Sequence, residues 1–319
     1  MKNVFITGIT GQDGIFLTSE IVKNYGDVNI VGTSRSKKNP LFFQRLKSIN
    51  SQAEKNLTLV QLDLRDQNQV MKYIDELKPD YVINLSGPSS VYKSYLDQSE
   101  SKKEIELIFD NLVDSLIKTD NLANFFQSSS SEMFANSNNS SLDESSLFLP
   151  RSPYAIAKLR NHEKVLTLRH RYDWSIYSGI MFNHESQFRS EDYLFMKVIN
   201  TAKNIKNGAN EDLIIGSLDY IRDWCYSKDT VKAILSIIEN GKSGSYVIGS
   251  GKGHKISDLI EKVFSLHGLN YMDHVKINNS FLRKGDPRKI VSNPMKIKKE
   301  LGWQSETTFE KLIEFCINT

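Results

Sequence analysis

The feature that most restricts the fold stands at the start of the chain. Val4 to Thr7 is a short apolar run of β-type residues, and Gly8-Ile9-Thr10-Gly11-Gln12-Asp13-Gly14 follows it directly. Beyond the glycines an amphipathic segment turns Leu17, Ile21 and Val22 to one side. Strand, glycine-rich turn and helix in that order is the context in which such glycines hold a dinucleotide. Gly8 permits the tight turn, Gly11 lets the backbone approach a pyrophosphate, and Gly14 allows close helix packing. The first helical turn, from Gln12 and Asp13 on, then offers N–H donors to phosphate oxygens.

The segments that follow repeat the alternation. Val28 to Thr33 reads as a second strand, Leu57 to Leu62 as a third and Tyr81 to Leu85 as a fourth, with a helix facing inward through Val70, Met71, Ile74 and Leu77. No internal repeat or low-complexity tract interrupts them. This pattern predicts an α/β protein with a parallel, doubly wound sheet. Right-handed crossovers bring all the strand ends to one edge. That edge gathers Thr10 and the glycines, Arg35, Asp63 and Leu64 where an adenine would lie, Leu85, Ser86 and Gly87, and the SSSSE stretch that is expected to form a loop after Phe126. The second strand ends in Thr33-Ser34-Arg35-Ser36-Lys37-Lys38, without the acidic residue that accepts from an NAD ribose. Cations there suit a 2′-phosphate, so NADP is expected rather than NAD, with Arg35 as the contact.

At 319 residues the chain exceeds the usual single-domain size, and a smaller second lobe is expected. The first unit is assigned to residues 1–180 with about 218–250, and the lobe to about 181–217 and 251–319. Lys and Arg number 41 against 38 Asp and Glu, a net +3 that argues for neither nucleic acid nor an anionic membrane as partner. Cys225 and Cys316 stand far apart and lack metal-ligand spacing, so no disulfide framework and no metal site is expected. No apolar run reaches the roughly 20 residues of a membrane span. A cytoplasmic protein is the expectation.

Chemistry concentrates between Ser128 and Lys158. Tyr154 and Lys158 are four apart in a helix-forming segment and so share one face, about a turn apart. A cationic Lys158 is expected to lower the phenol's pKa from about 10 and let Tyr154 act as a base. A tyrosine four before a lysine also arises by chance; the strand ends around it give the pair its meaning.

Taken together, GITGQDG at 8–14, NLSGPSSV at 84–91, QSSSSEMF at 127–134, PRSPYAIAK at 150–158, GIMFNHES at 179–186, IRDW at 221–224 and LGWQSETTFEKL at 301–312 resemble the extended short-chain dehydrogenase/reductases, and among them the GDP-mannose 4,6-dehydratase family. PRSPYA with FNHES and RDW is more specific than the glycines. The resemblance implies a Rossmann-type cofactor domain, a nucleotide-sugar substrate, a homo-oligomer (dimer or tetramer) and a hydro-lyase activity. It implies that Ser130, in place of the family's threonine, bonds the sugar hydroxyl, that Glu132 is the active-site base, and that Tyr154 and Lys158 are the tyrosinate and its partner. His184 and Arg189 resemble cofactor contacts. Asn183, Lys197, Arg222 and Arg283 resemble residues that hold the sugar nucleotide. Gln187-Phe188, Met196, Ser36 and Pro88 to Ser90 depart from the family pattern, so the base and the sugar, a heptose included, stay open. A sister enzyme that reduces or epimerises a nucleotide sugar would keep Tyr154 and Lys158 without needing Glu132. A non-catalytic NADP-binding sensor would commonly lose the pair.

Overall fold

The structure, a computed structural model, describes residues 2–134, 141–242, 244–282 and 286–318. In chain order the strands are β1 (Asn3–Thr7), β2 (Asn29–Ser34), β3 (Leu57–Gln61), β4 (Tyr81–Asn84), β5 (Asn124–Ser130), β6 (Ile176–Met181), β7 (Asn183–Glu185), β8 (Leu213–Ile215), β9 (Ile221–Arg222), β10 (Trp224–Tyr226), β11 (Ser245–Ile248), β12 (His254–Lys255), β13 (Val275–Ile277) and β14 (Lys289–Ile290). The helices are α1 (Gln12–Tyr25), α2 (Pro40–Ile49), α3 (Gln67–Leu77), α4 (Val91–Leu96), α5 (Gln98–Lys118), α6 (Pro153–Tyr172), α7 (Leu194–Lys206), α8 (Ser227–Asn240), α9 (Ile256–Leu266), α10 (Met295–Leu301) and α11 (Phe309–Ile317).

Seven parallel strands form the main sheet in the order β11-β6-β5-β4-β1-β2-β3. The expected doubly wound architecture is therefore present, and its direction reverses between β1 and β4. Successive residues feed opposite cores, as the two-residue period of a strand demands. Val4 and Ile6 join Ile30, Ile83 and Phe126 under α1 and α8, while Phe5 joins Val31, Val82 and Phe125 under α3, α5 and α6. Each of these side chains contributes about 1.5–3 kcal/mol by leaving water.

The later chain adds small pairings: β7 with β10, β8 with β13, and β9 between β12 and β14. Among the described residues no helix is long and apolar enough to cross a membrane, and no group of side chains could hold a metal ion.

One local expectation is corrected. Ser128, Ser129 and Ser130 belong to strand β5, and only Ser131–Phe134 turns away, as a short 3₁₀ helix. Their hydroxyls do not force a loop because neighbours satisfy them inside: Ser178 Oγ donates to Ser129 Oγ at 2.8 Å, next to His162 Nδ1 at 2.8 Å.

Candidate active site at the strand ends

The reversal between β1 and β4 opens a crevice at their carboxyl ends, the position where open α/β sheets bind ligands. Gly8 has φ +68°, and a Cβ there would stand 2.9 Å from the Leu85 carbonyl and the Ser86 nitrogen. A Cβ on Gly14 would stand 2.1 Å from the Ile9 carbonyl oxygen, so α1 can start this close to the turn only with glycine. Gly11 caps α1 with no side chain on the first-turn N–H groups. This cradle suits a pyrophosphate, with Thr10 partly buried beside it. Across the turn, Leu85 N–H donates to Thr7 O at 3.2 Å, Ser86 Oγ donates to Asn84 Oδ1 at 2.6 Å, and Gly87 has φ +111°.

Helix α6 presents the chemistry. Ser152 Oγ caps it by accepting from the Ala155 N–H at 3.0 Å, and Pro153 starts it. Tyr154 and Lys158 do fall on one face, at 8% and 5% exposure, against the end of β5. The Ser130 hydroxyl stands close enough to the Tyr154 phenol to lower its pKa. Lys158 Nζ lies 5.7 Å from the centre of the Tyr154 ring and donates to Ser128 O at 2.9 Å. Partly buried Glu132 follows immediately, its N–H donating to Ser130 Oγ at 3.2 Å. Ser130, Glu132, Tyr154 and Lys158 thus share one wall.

The expected electrostatics are corrected here. Burial pushes the Tyr154 phenol up to about 12; the Ser130 hydroxyl and the Arg189 charge pull it down, while Glu132 and Tyr193 push it up. Burial brings Lys158 down to about 8. Desolvation outweighs the expected help from Lys158 because the ammonium's hydrogen bond goes to a carbonyl rather than to the phenol.

The ends of β2 and β3 frame a cavity of about 500 Å³ lined by Arg35, Gln61, Asp63, Arg65 and Gln69. Arg35 is 84% exposed and lies 3.9 Å from Glu104. Arg65, absent from the sequence expectations, forks onto Asp63 through Nε at 2.9 Å and Nη2 at 2.7 Å. Its hydrogen bonds hold Asp63 down at about 2. A cation two residues after an acid at a strand end was the available signal. Leu64 is buried among apolar side chains and offers only backbone.

The segment after β6 closes against the glycine turn. Gln12 is buried: Nε2 donates to His184 O at 2.9 Å and Oε1 accepts from Ser186 Oγ at 2.8 Å. His184 lies between Phe182 O, 2.8 Å from Nδ1, and Asp13 Oδ2, 2.9 Å from Nε2. Acceptors on both sides favour the ring with both nitrogens protonated. Burial opposes that charge, but Asp13 outweighs it and holds the His184 pKa up. Asp13 also accepts from Ser227 Oγ at 2.6 Å; despite its burial, the His184 charge and these bonds hold its pKa down. His184 and the side chains of Gln12 and Asp13 therefore staple the glycine turn to β7.

Arg189 stacks on Tyr193, with Cζ 3.5 Å from the ring centre. Its Nε is 3.3 Å from Glu185 Oε2, an ion-pair distance without hydrogen-bond alignment. Asn183 opens β7, paired with Trp224. Lys197 Nζ donates to Ile214 O at 2.8 Å and lies 5.1 Å from the Phe281 ring centre. Arg222 is spent: it donates to Ile221 O and Pro287 O and pairs with Asp286 at 3.0 Å, so in this arrangement its charge is already compensated. Arg283 lies outside the described residues.

A glycine-turn crevice with a tyrosine and a lysine facing it from one helix defines an extended short-chain dehydrogenase/reductase, whose fold binds NAD or NADP. The model of the family "GDP-mannose 4,6 dehydratase" matches residues 5–315. GDP-mannose 4,6 dehydratase 2 of Arabidopsis thaliana is 31% identical over 99% of this chain and 86% of its own length. The Homo sapiens GDP-mannose 4,6 dehydratase is 30% identical over 99% of this chain and 91% of its own. This chain belongs to the GDP-mannose 4,6-dehydratase family. In fold it is also similar to dTDP-glucose 4,6-dehydratase of Bacillus anthracis, with a TM-score of 0.84 at 18% identity over 100% of this chain and 96% of the other.

Proposed function

We propose that this protein is a nucleotide-sugar 4,6-dehydratase, a hydro-lyase that converts a GDP-sugar, GDP-mannose or a related hexose or heptose, to its 4-keto-6-deoxy form. The observation that carries the reading is Glu132 standing beside the Ser130–Tyr154 pair in a chain of this family. Reduction or epimerisation needs the tyrosine and lysine; only elimination also needs a carboxylate at that place.

The bound nicotinamide supplies a reversible hydride acceptor; the residues handle protons. Tyr154 takes the proton of the C4 hydroxyl, which Ser130 holds by a hydrogen bond. Lys158, 5.7 Å from the ring, supplies the positive charge that the buried phenolate requires. Once C4 is a ketone, the C5 proton is acidic, and Glu132 removes it as hydroxide departs from C6; the proton that Tyr154 took from the C4 hydroxyl is released and balances that hydroxide as one water. Glu132, its proton exchanged with solvent, protonates C5 when C6 is reduced. The glycine turn would hold the pyrophosphate, Asp63 and the cavity beside it the adenosine, and Arg35 a 2′-phosphate, a cation that favours NADP over NAD. Asn183, Lys197 and Arg222 would hold the sugar nucleotide, with Arg283 assigned to it by the resemblance alone. The working form is a homo-oligomer in the cytoplasm.

Incubation with GDP-, UDP-, CDP- and dTDP-sugars and catalytic NADP, followed by mass spectrometry, tests the reading. Loss of one water from a GDP-sugar without net cofactor consumption is expected. Stoichiometric NADPH consumption, or an isomer of unchanged mass, would overturn it in favour of a reductase or an epimerase.

A further inference from the structure

A chain of buried hydrogen bonds runs beneath the crevice from β1 to α6. The Thr7 hydroxyl donates to Asn84 Oδ1 at 2.6 Å, and that oxygen also accepts from Ser86 Oγ and, at 3.2 Å, from the Ser86 N–H. Three donors on one atom fix which way the Asn84 amide points. Its Nδ2 therefore donates to Gln127 Oε1 at 2.8 Å, which turns Gln127 Nε2 onto Ser128 O at 2.9 Å. The same oxygen accepts Lys158 Nζ at 2.9 Å. Asn84 and Gln127 are each 1% exposed, so water cannot substitute for a lost partner. The pairing of β4 with β5 ends at Asn84 and Gln127, so Ser128 stands beyond the last rung, where the ladder no longer holds it on that side.

We propose that Gln127 is a positioning residue for Lys158: its amide, oriented through Asn84 from Thr7, fixes the carbonyl oxygen on which the lysine docks, and with it the distance from ammonium to phenol. The catalytic part of this inference rests on the dehydratase reading. The geometric part does not.

The test uses the full chain with lysines labelled at Cε with ¹³C, and follows the Lys158 signal against pH, Lys158→Met identifying it. The wild type is expected to titrate near 8. Gln127→Glu places a carboxylate beside the shared oxygen and moves the midpoint up by at least one unit. Gln127→Leu breaks the chain without adding charge; kcat falls at least about 10-fold while substrate KM and cofactor Kd stay within about twofold. Ser178→Ala, equally buried but linked to Ser129 and His162, lowers Tm and leaves the Lys158 midpoint and kcat near wild type. An unmoved midpoint in Gln127→Glu, or a Gln127→Leu phenotype no different from Ser178→Ala, overturns the proposal. The titration needs no turnover, so a wild type that dehydrated no sugar would count against the dehydratase reading alone.

Discussion

The two ends of the crevice are built on opposite principles. At the catalytic end Tyr154 and Lys158 are at most 8% exposed, and desolvation sets their protonation. At the other end, which the proposal assigns to the adenosine, Arg35 is 84% exposed, and the Asp63–Arg65 fork sets the local charge with little burial. Burial makes a group's ionisation part of the chemistry; exposure leaves it a matter of attraction between surfaces, weakened by solvent and salt. Substitutions should therefore act on turnover at one end and on cofactor choice at the other.

The sharpest contrast is expected from Tyr154→Phe. Loss of the proton acceptor should reduce kcat by roughly 10²–10⁴-fold while cofactor Kd, measured by calorimetry, stays near wild type. Equal losses in binding would dissolve the distinction between the ends. Between them stands the Asp13–His184 staple, where Asp13→Ala removes the partner that holds the buried His184 charge and should lower stability by about 3 kcal/mol in urea unfolding. Its pH dependence has a defined sign. The His184 pKa is raised, so its share is complete below the unfolded value of 6.5 and is lost as pH rises through the folded one. The Asp13 pKa is lowered, so its share is present above 3.8 and lost as pH falls through its folded value. The stability gap between wild type and variant should be widest between those two unfolded values and shrink on the alkaline side.

A milder pH effect belongs to the catalytic wall. Lys158 titrates at about 8, so kcat should decline as pH rises through that value and the ammonium opposite Tyr154 is lost. A profile flat to pH 10 would mean that its charge is not used. The smallest effect is expected from Arg35→Ala, which should weaken NADP about 10-fold and leave NAD within about twofold, with unchanged stability. Equal weakening of both cofactors would remove the 2′-phosphate from the account.

The sequence made visible whatever depends on short spacing. Gly8, Gly11 and Gly14 show because a turn between strand and helix leaves no room for side chains, and the strand alternation around them gives the sheet. Tyr154 and Lys158 show because four residues make one helical turn. Features that join distant parts of the chain were hidden: nothing near Asp13 announces His184, 171 positions on, and nothing near Arg222 announces Asp286. Depth was hidden too. Spacing places an ammonium near a phenol but does not say that both are buried, so it does not carry the upward direction of the Tyr154 shift. The serines after Phe126 suggested a loop because their partners, Ser178 and His162, lie on other elements.

One replacement probes the centre of this account, the assignment of proton removal at C5 to Glu132. Turnover of a GDP-hexose by Glu132→Gln in D₂O, with the sugar recovered and analysed by NMR, should show no deuterium at C5 while the variant binds cofactor like the wild type. Deuterium at C5 at the wild-type rate would mean that another group moves that proton, and the carboxylate beside Ser130 and Tyr154 would lose its role.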